Sequence, residues 1–166
     1  MEYALWLKMT ESEPKTIVTT PYSRAQQTSY VISSYLGTLP CIFYEEDLGE
    51  INWDHKGHWT EISDENPDWV EDSKDPDWCP VITYEGQKVH LKTGRSVYKR
   101  AVPALIERCR QHEDRGTLLI VSHNYTLRAL IAFLNGEGVA GMGNHDPRNL
   151  AKYFYDIDPS ELKYYE

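Results

Sequence analysis

Two side chains that can bind an anion follow two apolar segments of the sequence. Arg24 comes shortly after the β-branched run at residues 16–20, and His123 directly follows the apolar run at residues 117–122. Each pattern predicts a strand that leads into a helix, and the free N–H groups and positive dipole end of a helix start favour an anion. Arginine adds a planar fork for two phosphate oxygens, and histidine can donate to a third. The sequence therefore predicts a phosphate site.

Each of these residues also has an ordinary structural interpretation. An arginine after a strand is commonly a surface residue, and a histidine at a strand end is often bonded only to a backbone carbonyl. The occurrence of Arg24 and His123 in two matching contexts favours phosphate binding over both alternatives.

The elements that would position Arg24 and His123 alternate between strands and helices. Such alternation predicts an α/β fold, a three-layer sandwich whose mostly parallel sheet has helices on both faces. Ligands of these sheets bind at the carboxyl ends of the strands, where both residues are expected. A proline, Pro103, should kink the second helix or mark its first turn. Strands are predicted at residues 16–20, 41–44, 117–122, 151–157 and 162–165, and helices at residues 25–36, 96–109 and 125–134.

The composition limits the classes of partner. With 26 acidic and 17 basic residues the net charge is -9, which repels a nucleic-acid backbone, so phosphate must be bound by a local basic pocket. Three widely spaced cysteines predict neither a disulfide framework nor a zinc knuckle and favour a reducing cytoplasm. The apolar run at the start of the sequence is too short to cross a membrane. The sequence does not predict the oligomeric state, and a homodimer is one of the alternatives.

A segment rich in tryptophan interrupts the alternation. The length of 166 residues predicts one domain, at residues 1–166, with an insertion at about residues 52–93. The insertion loses regular periodicity but is too aromatic for a disordered linker. We interpret it as a lid over the phosphate pocket, and a surface for a protein partner is the alternative. Its tryptophans are Trp53, Trp59, Trp69 and Trp78.

Three motifs resemble those of the histidine phosphatase superfamily, also called phosphoglycerate mutase-like. Residues 19–28 read Thr-Thr-Pro-Tyr-Ser-Arg-Ala-Gln-Gln-Thr, similar to the family's Ser-Pro-x-x-Arg-Ala-x-Gln-Thr. Residues 122–128 read Ser-His-Asn-Tyr-Thr-Leu-Arg, similar to Ser-His-x-x-x-x-Arg. Residues 47–53, Asp-Leu-Gly-Glu-Ile-Asn-Trp, resemble a third stretch, Leu-x-Glu-x-x-x-Gly, although Asp54 stands where the family has glycine. The resemblance implies a phosphoglycerate mutase-like fold and phosphomonoester hydrolysis through a phosphohistidine, without metal or cofactor.

The resemblance also implies roles for single residues. Arg24, His123 and Asn124 would bind the phosphate of a small phosphorylated substrate, and His123 would take part in catalysis. Glu50 would protonate the leaving oxygen, as a general acid does for an expelled alkoxide. The alternative for Glu50 is a solvated acidic turn. Arg128 matches a family arginine, but a structural ion pair explains it better.

One expected motif is missing from the sequence. The family begins with a strand that ends in Arg-His-Gly, whose histidine receives the phosphoryl group, and no such tripeptide occurs among the 166 residues. We therefore expect that the chain begins after this strand and is an active phosphatase if the strand exists upstream. The alternative is an inactive pseudophosphatase or a module that binds a phosphorylated ligand or a partner.

A metal site is a further alternative. Asp54, His55 and His58 offer oxygen and nitrogen donors at short spacing, and His90 or His145 could complete the set. A polar aromatic loop explains this stretch better, so we predict no metal.

Overall fold

The computed structural model describes residues 13–36, 40–50, 74–84, 86–90, 92–112, 116–147 and 153–166. The chain divides into two compact units. The first unit comprises Met1–Gly49, Pro103–His123 and Asp156–Tyr164, and the second comprises Glu50–Val102, Asn124–Tyr155 and Tyr165–Glu166. The strands are β1 (Thr16–Thr19), β2 (Cys41–Tyr44), β3 (Val81–Tyr84), β4 (Gln87–His90) and β5 (Leu118–Val121), and the α-helices are α1 (Ser23–Leu36), α2 (Gly94–Gln111) and α3 (Asn124–Leu134).

The first unit contains a parallel sheet with β1 between β2 and β5. Thr19 of β1 pairs with Tyr44 of β2 and with Val121 of β5, so the three strands end together. All four residues of β1 are buried, with Ile17 0% exposed, as is typical of a strand in a parallel sheet whose faces are covered. The parallel sheet and its helices confirm the predicted α/β class.

Helix α1 packs against this sheet. It begins just after Pro21, and the backbone N–H of Ala25 donates to the carbonyl of Tyr22 at 3.0 Å. Ile32 and Leu36 lie on one face of the helix and pack against residues of β5. The buried residues recur at helical spacing, namely Ala25, Ser29, Ile32 and Leu36.

The second unit contains helix α3 and an antiparallel hairpin. Most residues of α3 are buried, in keeping with a helix that is apolar on nearly all sides. Strands β3 and β4 pair around Gly86, which adopts a positive φ of 77° suited to glycine. The hairpin lies within the predicted insertion at residues 52–93, of which residues 52–73, 85 and 91 fall outside the described residues.

Helix α2 begins at Gly94 and continues through Pro103, so the prediction that this proline marks its first turn is wrong, while the alternative, a kink, stays a prediction. The prediction of two strands near the C-terminus is also wrong. Residues 153–157 and 162–165 are not strands. Their aromatic residues suggested strands, but β-propensity reflects packing on a sheet face, and several of these side chains are exposed instead: Tyr153, Phe154, Tyr155, Tyr164 and Tyr165.

Candidate phosphate site

In the first unit, Arg24 and His123 are brought together at the carboxyl ends of β1 and β5. Since Thr19 and Val121 are paired in register, the residues that follow the two strands emerge at the same edge of the sheet. The Arg24 Nε donates to His123 Nδ1 at 3.2 Å. The Thr20 Oγ1 lies 2.8 Å from His123 Nε2. Both ring nitrogens of His123 are therefore engaged, and one partner is a permanent cation.

Tyr22 forms an aromatic wall beside these groups. Its ring meets the His123 ring edge-on, with centroids 5.0 Å apart and an interplanar angle of 78°. The Arg24 guanidinium carbon lies 5.1 Å from the centroid of the Tyr22 ring, within range of a cation–π contact. These contacts fix the orientation of the arginine and histidine while Tyr22 itself stays 37% exposed.

The close approach of the backbone at Gly49 leaves no room for a larger residue next to Tyr22. A Cβ at Gly49 would lie 3.1 Å from the Tyr22 Cε2 and 2.9 Å from the carbonyl oxygen of Glu46. Glycine is therefore required here for steric reasons, and it keeps the segment after β2 tight against the wall.

Further bonds hold this segment in the first unit. The Glu45 backbone N–H donates to the carbonyl of Thr19 at 2.8 Å, and the Arg108 guanidinium binds the Glu45 carboxylate at 2.6 Å. The Ser122 hydroxyl donates to the carbonyl of Leu48 at 2.6 Å. The segment is thus tied to β1, to α2 and to the residue that precedes His123.

In the second unit, Glu50 is bound at the start of α3. Its carboxylate accepts a hydrogen bond from the Tyr125 backbone N–H at 3.2 Å, and its backbone carbonyl accepts one from Arg100 at 3.1 Å. A carboxylate is stabilised at a helix N-terminus by the free N–H groups and the dipole. Glu50 is half-buried and hydrogen-bonded, unlike a residue of a solvated turn.

Asn124 and Arg128 make contacts within the second unit. The Asn124 side-chain amide donates to the carbonyl of Pro147 at 2.8 Å and to the Asp146 carboxylate at 3.4 Å. Arg128 pairs with the same carboxylate at 3.2 Å. Arg128 thus forms an ion pair of the kind that the sequence favoured, and the phosphate contact of Asn124 stays a prediction.

The cysteines and the possible metal ligands were also considered as functional groups in the part of the chain that is described. All three cysteines are free, and burial raises the pKa of the Cys109 thiol to about 11, so it is protonated at neutral pH and a weak nucleophile. Across residues 13–36, 40–50 and the other described ranges, no cluster of His, Cys, Asp and Glu could hold a metal ion. Asp54, His55 and His58 fall outside those ranges. No described helix is long and apolar enough to cross a membrane.

Sequence reasoning missed Thr20 and Tyr22. The available signal was their position, on either side of Pro21 between a strand and the arginine. A hydroxyl at the end of a buried strand is expected to need a hydrogen-bond partner, but the sequence does not say which.

The neighbouring Thr19 provides a first testable prediction. Its side chain is buried, and within the described part of the chain its Oγ1 has no hydrogen-bond partner. We expect Thr19→Val to raise the free energy of unfolding by about 1 kcal/mol, because it removes an unsatisfied hydroxyl and suits a strand. Thermal unfolding should show a rise of about 3 °C. A lower melting temperature would indicate that the Thr19 hydroxyl is bonded in solution.

The chain is similar to several solved structures. No curated protein sequence matches the chain. Among solved structures, YhfR of Bacillus stearothermophilus is 24% identical, with a TM-score of 0.61 over 84% of this chain and 64% of that one. A mycobacterial glucosyl-3-phosphoglycerate phosphatase complexed with VO3 is 21% identical, with a TM-score of 0.62 over 85% of this chain and 67% of that one.

A third similar structure is mycobacterial hydrolase 1, which is 20% identical to this chain, with a TM-score of 0.60 over 81% of this chain and 63% of that one. The chain thus spans about two thirds of the length of the structures it matches. These likenesses show the phosphoglycerate mutase-like fold. The family model for the histidine phosphatase superfamily, branch 1, matches residues 3–164, so the chain belongs to that superfamily.

Proposed function

We propose that the protein is a phosphomonoester hydrolase of the histidine phosphatase type. The observation that carries the proposal is the contact between Arg24 and His123 at the carboxyl ends of two parallel strands. The Arg24 guanidinium in the first turn of α1 offers several N–H donors to one anion, and the adjacent imidazole can add another in its imidazolium form. The substrate would be a small phosphorylated compound rather than a nucleic acid, since the chain carries a net charge of -9.

The proposed chemistry divides into binding, phosphoryl transfer and protonation. Arg24 and His123 hold the phosphoryl oxygens, and Asn124 is assigned to the same task on the family resemblance. A histidine nucleophile forms a bond to phosphorus as the ester P–O bond breaks, and water later releases phosphate from the phosphohistidine. We assign protonation of the leaving alkoxide to Glu50 on the resemblance of its motif to that of the family. No metal or cofactor is needed for these steps.

None of the six histidines of the sequence stands in an Arg-His-Gly tripeptide. The second candidate function is a module that binds a phosphorylated ligand without turnover, and it applies if the protein supplies no such nucleophile. Both candidates share the phosphate site. For either one, the free cysteines support a reducing compartment such as the cytoplasm.

Orthovanadate and p-nitrophenyl phosphate together test the proposal. Vanadate is a suitable probe because the mycobacterial phosphatase was solved with VO3 and with inorganic phosphate. We expect saturable vanadate binding that phosphate competes away, measured by calorimetry. An absence of binding would contradict both candidate functions.

Turnover then separates the hydrolase from the binding module. For the hydrolase we expect release of p-nitrophenol and an acid-labile phosphoenzyme. In Glu50→Gln, hydrolysis of an alkyl phosphate should fall about 10²- to 10⁴-fold while vanadate affinity is retained. Unchanged alkyl phosphate hydrolysis in Glu50→Gln would remove Glu50 from the acid role. Vanadate binding without hydrolysis would support the binding module instead.

A further inference from the structure

The hydroxyl of Thr20 has a specific relation to His123. Thr20 is 0% exposed and His123 is 6% exposed, so water cannot readily replace their hydrogen bond. The Thr20 Oγ1 lies 2.8 Å from His123 Nε2, and Arg24 occupies the opposite nitrogen of the ring, Nδ1. Buried polar groups of this kind are costly when they are left unpaired.

The Arg24 contact fixes the position of the histidine proton. An arginine Nε–H can only donate, so His123 Nδ1 must accept with its lone pair. The ring is then neutral and carries its proton on Nε2. That N–H donates to Thr20 Oγ1, which is the acceptor in this pair. The threonine and the arginine together select one tautomer and one ring orientation.

We propose that Thr20 is a positioning residue that prepares His123 for phosphate binding, an inference that rests on the proposed function for its ligand. While Thr20 holds the Nε2 proton, Nδ1 stays directed at Arg24, the group that binds the anion. An anion bound by Arg24 draws the Nε–H away from Nδ1, and Nδ1 then takes a proton from solvent. The resulting imidazolium donates from Nδ1 to the anion and from Nε2 to Thr20.

The surroundings of the ring agree with this assignment. Arg24 and Tyr22, both in the first unit, contact the His123 ring. The cation of Arg24 disfavours a second positive charge on the ring until an anion is bound. The Thr20 hydroxyl can accept the Nε2 hydrogen bond whether the His123 ring is neutral or protonated. Tyr22 contacts the ring through its aromatic edge, and that contact provides no acceptor.

The variant Thr20→Val distinguishes the effect of the hydroxyl group from the effect of the side-chain shape. Thr20→Val retains the branched outline in the buried strand end but cannot accept a hydrogen bond. Thr20→Ser restores the hydroxyl without the methyl group. Thr19→Val makes the same chemical change one residue away, at a hydroxyl that has no partner among the described residues.

The first measurement needs no ligand. In protein labelled with ¹⁵N-histidine, the resonances of His123 are assigned by their loss in His123→Gln. We expect a slowly exchanging downfield Nε2 proton in the wild type, in Thr20→Ser and in Thr19→Val, and its loss in Thr20→Val. If Thr20→Val does not fold, Thr20→Ala makes the same comparison. Persistence of the signal in the folded variant would overturn the proposal.

The second measurement is vanadate affinity. We expect Thr20→Val to bind about tenfold more weakly, the effect of one lost hydrogen bond to a charged ring. Thr20→Ser should restore the affinity to within about threefold of the wild type, and Thr19→Val should leave it unchanged. Equal affinity in Thr20→Val and the wild type would overturn the role in binding. If the wild type binds no vanadate, the proposed function is wrong. The NMR signal of the Nε2 proton still tests whether Thr20 positions His123, because that measurement needs no ligand.

Discussion

Replacing Arg24 with alanine is expected to lower the affinity for orthovanadate about a hundredfold. The guanidinium can form two charge-assisted hydrogen bonds to one anion, each contributing about 1.5 kcal/mol, and about 1.4 kcal/mol corresponds to a factor of ten. Arg24 is also the donor to His123 Nδ1, so its loss removes the group that orients the ring. Calorimetric titration of the folded variant measures the change.

Two control variants separate the fork geometry from simple charge. Arg24→Lys keeps the positive charge but loses the planar fork, so its affinity should fall between those of the wild type and Arg24→Ala. Arg110→Ala removes a cation elsewhere in the first unit, where the guanidinium donates to the carbonyl of Leu162. Its affinity should equal that of the wild type. An Arg24→Ala variant that binds vanadate normally would rule out the proposed phosphate site.

The sequence was sufficient to predict the elements that carry Arg24 and His123. Residues 16–20 and 117–122 are short apolar runs of the type found in buried parallel strands, and each is followed by a helical pattern. Periodicity is a local property, so it locates strands and helices well. It also indicated that both residues follow strand ends, and this placed them at the same edge of the sheet.

The role of Thr20 could not be predicted because it depends on a contact across a long stretch of sequence. Thr20 and His123 are 103 residues apart, and only the parallel register of β1 and β5 brings them together. A buried threonine at a strand end is an ordinary feature of a sheet. The exact partner of its hydroxyl follows from tertiary packing, which local patterns do not encode.

The remaining errors have a similar cause. The hairpin of β3 and β4 was not predicted. It lies in a segment rich in aromatic and acidic residues without regular periodicity, and its turn contains Gly86. The aromatic residues near the C-terminus favoured strands, but no described strand pairs with them. In both places, pairing with a partner strand decided the structure more than the composition of the segment did.

Leu48 provides the second prediction with a large effect. Its side chain is 0% exposed, and its carbonyl accepts the hydroxyl hydrogen bond of Ser122. We expect Leu48→Ala to lower the free energy of unfolding by about 2 to 5 kcal/mol, because a buried leucine leaves a cavity that neighbours fill only in part. Urea denaturation should show a lower midpoint with an unchanged slope.

Leu48→Met is the matched control for this prediction. It nearly conserves the buried volume, so its loss of stability should stay below about 1.5 kcal/mol. A similar loss in both variants would mean that the shape of leucine, rather than the volume it fills, stabilises the segment. A negligible loss in Leu48→Ala would show that Leu48 does not anchor it. An intermediate loss in Leu48→Ala, with little loss in Leu48→Met, would show that the volume of this buried side chain stabilises the first unit.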